Sequence, residues 1–192
     1  MAGKAGDAGG GRRGRWRIAL WGTAAFLLLL PLAAMQFTGE VNWDETDFAV
    51  FGAMLAVACG TYELGARMTG NRAYRAAVGV AVAAAFILVW MNLAVGIIGD
   101  EGNPANLMYG GVLAIGIIGA LIARFEPQGM ARALVAMALA QAMVAVIAVI
   151  AGTGYPASPP LEIFGVTALF AVLWLISAWL FRRSAQEQAT AG

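Results

Sequence analysis

Residues 131–151 read ARALVAMALAQAMVAVIAVIA. Apart from Arg132 near its start and Gln141 at its middle, every position is apolar. A helix rising about 1.5 Å per residue carries such a run across a hydrocarbon core about 30 Å thick. Lipid offers the backbone no hydrogen bonds, so a spanning segment is a helix or a strand of a closed barrel. Apolar and polar residues do not alternate here, as they would in a barrel strand. The run therefore predicts a transmembrane helix.

Five further runs of the same kind lie on either side of it: Ile18–Phe37, Phe48–Met68, Ala76–Ile98, Ala105–Ala123 and Leu161–Phe181. Of the 192 residues, 61% are hydrophobic and 12% charged. A soluble domain is about 45–50% apolar and about 25% charged, so too little polar surface remains here to coat a globule in water. The fold class expected is all-α, a polytopic membrane bundle of six transmembrane helices over residues 18–183. The Gly/Ala/Arg-rich segment 1–17 and the tail 184–192 have few bulky apolar side chains, and both are expected to be disordered. A basic start before an apolar run also describes a signal peptide, and cleavage there would leave five spans. The run is long and Pro31-Leu32-Ala33-Ala34 offers no clean small-x-small site, which favours a retained helix.

Charge sets the orientation. Under the six-helix scheme Lys4, Arg12, Arg13, Arg15, Arg17, Arg67, Arg72, Arg75, Arg124, Arg132, Arg182 and Arg183 all fall on one side. The opposite loops carry only acids: Glu40, Asp44, Glu45, Asp47, Asp100, Glu101 and Glu162. Short loops rich in Lys and Arg stay in the cytoplasm, which places both termini there. The basic residues sit at helix ends with no stacking platform, so no nucleic-acid partner is expected.

Helix starts on the acidic side carry local signals. Asn103-Pro104 reads as N-cap and first position of the fourth helix, and Ser158 before Pro159-Pro160 as the cap of the sixth. Asp44 with Asp47 resembles a capping box for the second. In the fourth run Gly110/Ala114, Gly116/Ala120 and Gly119/Ala123 stand four apart, and Ala138, Gln141, Ala145 and Ala148 share a face of the fifth. Small residues at this spacing let helices approach closely, within the bundle or between two copies of it. Residues 93–99 (LAVGIIG) are nearly repeated at 113–119 (LAIGIIG), a short match built from common membrane residues.

Polar residues inside the runs are the functional candidates. Glu63 is an intramembrane acid, with Arg67 four residues on as the expected partner along the helix face. Asn92 and Gln141 are amides expected to bond across helices, with a pore lining as the other reading. Outside the runs, Asp44, Glu45, Asp47, Asp100 and Glu101 form an oxygen-rich candidate site for a cation. Asp100 and Glu101 follow a helix C-terminus, where negative charge is unfavourable, so a helix dipole does not account for them.

Residues 90–109 (WMNLAVGIIGDEGNPANLMY) resemble a family of small uncharacterised bacterial membrane proteins. The likeness continues through Ala123-Arg124-Phe125 and Gly129-Met130-Ala131-Arg132-Ala133-Leu134, and covers roughly Val41 to Gly152. It implies membrane placement and brings no activity or catalytic residue. The Ala/Gly/Arg-rich style suits a high-GC bacterium, and so the inner membrane.

The sequence contains no His and a single Cys, Cys59, within an apolar run. The usual nucleophile-plus-base pairs are therefore out of reach, and no cofactor is expected. The expected function is a non-enzymatic integral membrane protein with an accessory or sensing role. The alternative is a small transporter or channel for a cation, lined by Glu63, Asn92 and Gln141. The partners expected are the lipid bilayer and, through Gly/Ala-rich faces, a second copy or another membrane protein.

Overall fold

The computed structural model describes residues 7–190; positions 1–6 of the basic segment and 191–192 of the tail lie outside the described residues. Helices make up all its regular structure: α1 (Asp7–Ala34), α2 (Glu45–Met68), α3 (Arg72–Ala94), α4 (Leu107–Ile122), α5 (Pro127–Ala151) and α6 (Pro160–Ala189). A 3-10 turn, Pro104–Asn106, leads into α4. Six helices are long and apolar enough to cross a membrane, and large side chains such as Ile122, Ile150 and Leu161 stay exposed on their outer faces. A surface that apolar is stable against lipid and unstable against water. The chain is an integral membrane protein.

The chain forms two compact units, Met1–Leu64 and Gly65–Gly192. In the first, α1 and the leading part of α2 run antiparallel. Trp16 meets Tyr62 edge-on at 6.0 Å, and Leu28 lies over Gly52. The start of α2 is fixed by a reciprocal cap. Asp44 Oδ1 accepts from the N–H groups of Thr46 (2.8 Å) and Asp47 (2.9 Å), and Asp47 Oδ2 accepts from Asp44 N–H (3.0 Å). This is a capping box with Asp in the place of Glu, as the spacing suggested.

In the second unit the helices pack in the order α4, α5, α6, α3. The α4–α5 contact is close because glycine makes it so. A Cβ on Gly116 would stand 2.4 Å from Met137 Sδ, and one on Gly119 2.6 Å from the Ala133 Cβ. On the other flank Ser177 Oγ donates to the Ala77 carbonyl (2.8 Å), and Tyr74 meets Phe181 edge-on at 4.9 Å. Phe170, Trp174, Phe181, Leu88, Ala145 and Ala148 fill the interior, all at 0–1% exposure.

Several boundaries differ from the sequence reading, and three of the differences shape the fold. The third run was expected to be helical to Ile98, but α3 ends at Ala94. Gly96 (φ +72°) and Gly99 (φ +74°) take left-handed conformations that stop a helix, and the apolar Ile97 and Ile98 are buried by a loop instead. The near-repeat of residues 93–99 at 113–119 therefore has no structural counterpart: its first copy is largely loop and its second is helix. At the ends, α1 starts at Asp7 and α6 continues past Arg183 to Ala189. Glu187 supports that extension, accepting from Arg183 Nε (3.0 Å) and from Asn71 Nδ2 at the start of α3 (3.0 Å).

Candidate functional site

Each unit has its own polar groups. In the first, Glu63 is 7% exposed. Arg17 Nε of α1 meets its Oε1 at 2.7 Å, and Trp21 Nε1 donates to Oε2 at 3.2 Å. Arg17 stands one helix away from Glu63, so the spacing rule that pointed to Arg67 gave no sign of it. Both carboxylate oxygens are engaged, as a shielded acid near the membrane boundary requires.

In the second unit, Gln141 is fully buried on α5, and Trp174 Nε1 of α6 lies 3.5 Å from its Oε1, a long and weak contact. This amide does reach across to another helix. Asn92 does not: its Nδ2 donates to the Leu88 carbonyl of its own helix at 2.7 Å. The short amide side chain bonds back to the carbonyl four residues earlier in its own helix, which competes with a partner on a neighbour. Asn92 Oδ1 and Gln141 Nε2 have no hydrogen-bond partner, and the Tyr109 hydroxyl is buried near Thr167.

Of the acids expected to gather round a cation, two have a structural role of their own. Asp44 and Asp47 form the cap of α2, with Glu45 in its first turn. Asp100 contributes its backbone carbonyl to the loop after α3, while its side chain and that of Glu101 are exposed. Among the described residues no three Asp, Glu or Cys side chains are grouped to hold a metal ion.

One residue that sequence reasoning passed over, Asn106, and one to which it gave a different role, Ser158, organise that loop. Asn106, buried, accepts at Oδ1 from the N–H groups of Ile97 (3.1 Å) and Ile98 (2.9 Å). Its Nδ2 donates to the carbonyls of Ile98 (3.2 Å) and Asp100 (2.7 Å). Ser158, read as a helix cap, instead accepts at Oγ from Gly99 N–H (3.0 Å); Pro159 holds the cap position of α6 and offers no side-chain bond. Asn103 caps the 3-10 turn through Ala105 N–H (2.9 Å) and donates to the Thr153 carbonyl (2.7 Å). The loop between α3 and α4 is thereby tied to the loop between α5 and α6.

At the opposite, arginine-rich end of this unit a cleft of about 210 Å³ is lined by Met68, Thr69, Tyr74, Arg124, Phe125, Glu126, Pro127 and Gln188. Its wall is unusual backbone. Helix α4 ends in a Schellman motif, Phe125 N–H to the Ala120 carbonyl (3.2 Å) and Arg124 N–H to that of Leu121 (3.1 Å). Arg124 (φ +48°) and Phe125 (φ +61°) are both left-handed. The same motif at the end of α5 uses Gly152. The Tyr74 hydroxyl donates to the Phe125 carbonyl (2.8 Å) and pins the turn. No protein-family model, curated protein or solved structure matches this chain.

Proposed function

We propose that this protein is a non-enzymatic accessory or sensing component of a bacterial inner membrane, with both termini in the cytoplasm. The observation that carries this reading is the packing round Gln141. The only amide deep in α5 is fully buried and in contact with Trp174, itself 1% exposed, in an interior filled by Phe170, Leu88, Ala145 and Ala148. A conduction path needs polar groups facing water. Asn92 turns back onto its own helix, and the capping acids serve α2, which leaves the cation-transport reading without a lined route. The orientation rests on Arg72, Arg75, Arg124, Arg132, Arg182 and Arg183, all at one end of the antiparallel second unit. Gly116 and Gly119 are taken up against α5, so a partner would meet other faces.

The test is flux in proteoliposomes loaded with reporters for H⁺, Na⁺, K⁺ and Mg²⁺. Flux equal to that of empty liposomes is expected for every ion. Flux that appears with the protein and is lost in Gln141→Leu would establish a transporter instead.

A further inference from the structure

We propose that the cleft beside Arg124 binds the headgroup of an aminophospholipid, a zwitterion with a phosphate and a primary ammonium. Two residues of the cleft lining carry charges of opposite sign, Arg124 and Glu126, two positions apart at the turn between α4 and α5. Among the described residues neither side chain has an ion-pair or hydrogen-bond partner. A phosphate suits the planar fork of a guanidinium, and an ammonium with three N–H donors suits a carboxylate. Thr69 and Gln188 add uncharged polar groups to the same lining.

The rest of the lining suits a lipid rather than a soluble zwitterion. Met68 and Phe125 are apolar, exposed, and part of the cleft wall. Leu121 and Ile122 continue the apolar surface up α4 at 62% and 78% exposure, where acyl chains would lie. The cleft is smaller than the roughly 300 Å³ at which drug-sized ligand pockets begin, and its size fits a headgroup.

The backbone points to the same place. A non-glycine residue in the left-handed region is disfavoured by about 1–2 kcal/mol. Glycine at position 124 would close the Schellman motif without that penalty, as Gly152 does in α5. The residue that bears this strain is the cationic residue of the cleft lining, and strained backbone of this kind clusters at ligand contacts. The assignment needs the membrane placement of the chain but is independent of whether the bundle transports anything.

The experiment is native mass spectrometry of the purified full chain in detergent, with short-chain phosphatidylethanolamine, phosphatidylcholine or phosphatidylglycerol at equal concentration. Thermal stability is read in parallel. Phosphatidylethanolamine is expected to be retained several-fold over the other two, because trimethylation removes the N–H donors and glycerol removes the positive charge. Arg124→Gly, which also relaxes the backbone and so should fold, is expected to abolish the preference. Glu126→Gln should do the same, and Arg132→Gln, outside the cleft, should leave it intact. Equal retention of all three lipids, a preference for phosphatidylglycerol, or an unchanged preference in both cleft variants would overturn the proposal. Equal protection by soluble phosphoethanolamine would overturn the lipid assignment.

Discussion

Asn106 shows how much one side chain can organise. Its amide makes four hydrogen bonds within a loop that buries Ile97 and Ile98, so all its capacity is used where water is excluded. Asn106→Leu would leave two backbone N–H groups without an acceptor, each costing about 1–3 kcal/mol. The expected outcome is a loss of about 2 kcal/mol or more in detergent unfolding, with Asn106→Asp in between because it still accepts. A leucine variant as stable as the parent would mean that the loop is held by its apolar residues alone. Sequence reading missed Asn106 because it sits among loop-formers, and nothing local distinguishes a polar residue whose partners are eight and nine positions back. Arg17 was missed for the same reason: its acceptor, Glu63, lies on another helix. Asp44 and Asp47 were legible because a capping box is closed within four residues.

Elements were legible where periodicity or spacing decides them. A close helix approach was anticipated at Gly116 and Gly119, and the structure supplies α5 as the partner, with which both would clash if they carried a Cβ. Gly119→Leu must push α5 away, and overpacking of this kind costs about 1–3 kcal/mol or more. Leu121→Ala removes a side chain that is already 62% exposed, so it should change stability little. The comparison is a pair of melting temperatures in one detergent. A Gly119→Leu variant melting with the parent would show that the crossing can open at no cost. Hydropathy misplaced the end of α3, because Ile97 and Ile98 are as apolar in a buried loop as in a helix. The helix-ending signal was present in Gly96 and Gly99, two residues that a membrane span also tolerates.

At the scale of the molecule, lipid explains the composition. The outer faces of the helices are apolar because their solvent is apolar, and the proposed orientation rests on arginines that resist translocation. The interior of the second unit follows from packing. Alanine and glycine on α4 and α5 bring backbones together, and aromatic residues of α6 fill the remaining space. Gln141 and Ala148 are fully buried in this interior, and the proposed function stands on water not reaching them. Cys59 is the only cysteine in the sequence, so Cys59→Ala gives a thiol-free background. Single cysteines at Gln141 and Ala148 can then be challenged in intact membranes with a small water-soluble thiosulfonate reagent, with Glu101 as the exposed control. The expected result is rapid modification at position 101 and none at 141 or 148. Modification at 141 as fast as at 101 would show water reaching the middle of the bundle and would contradict the account.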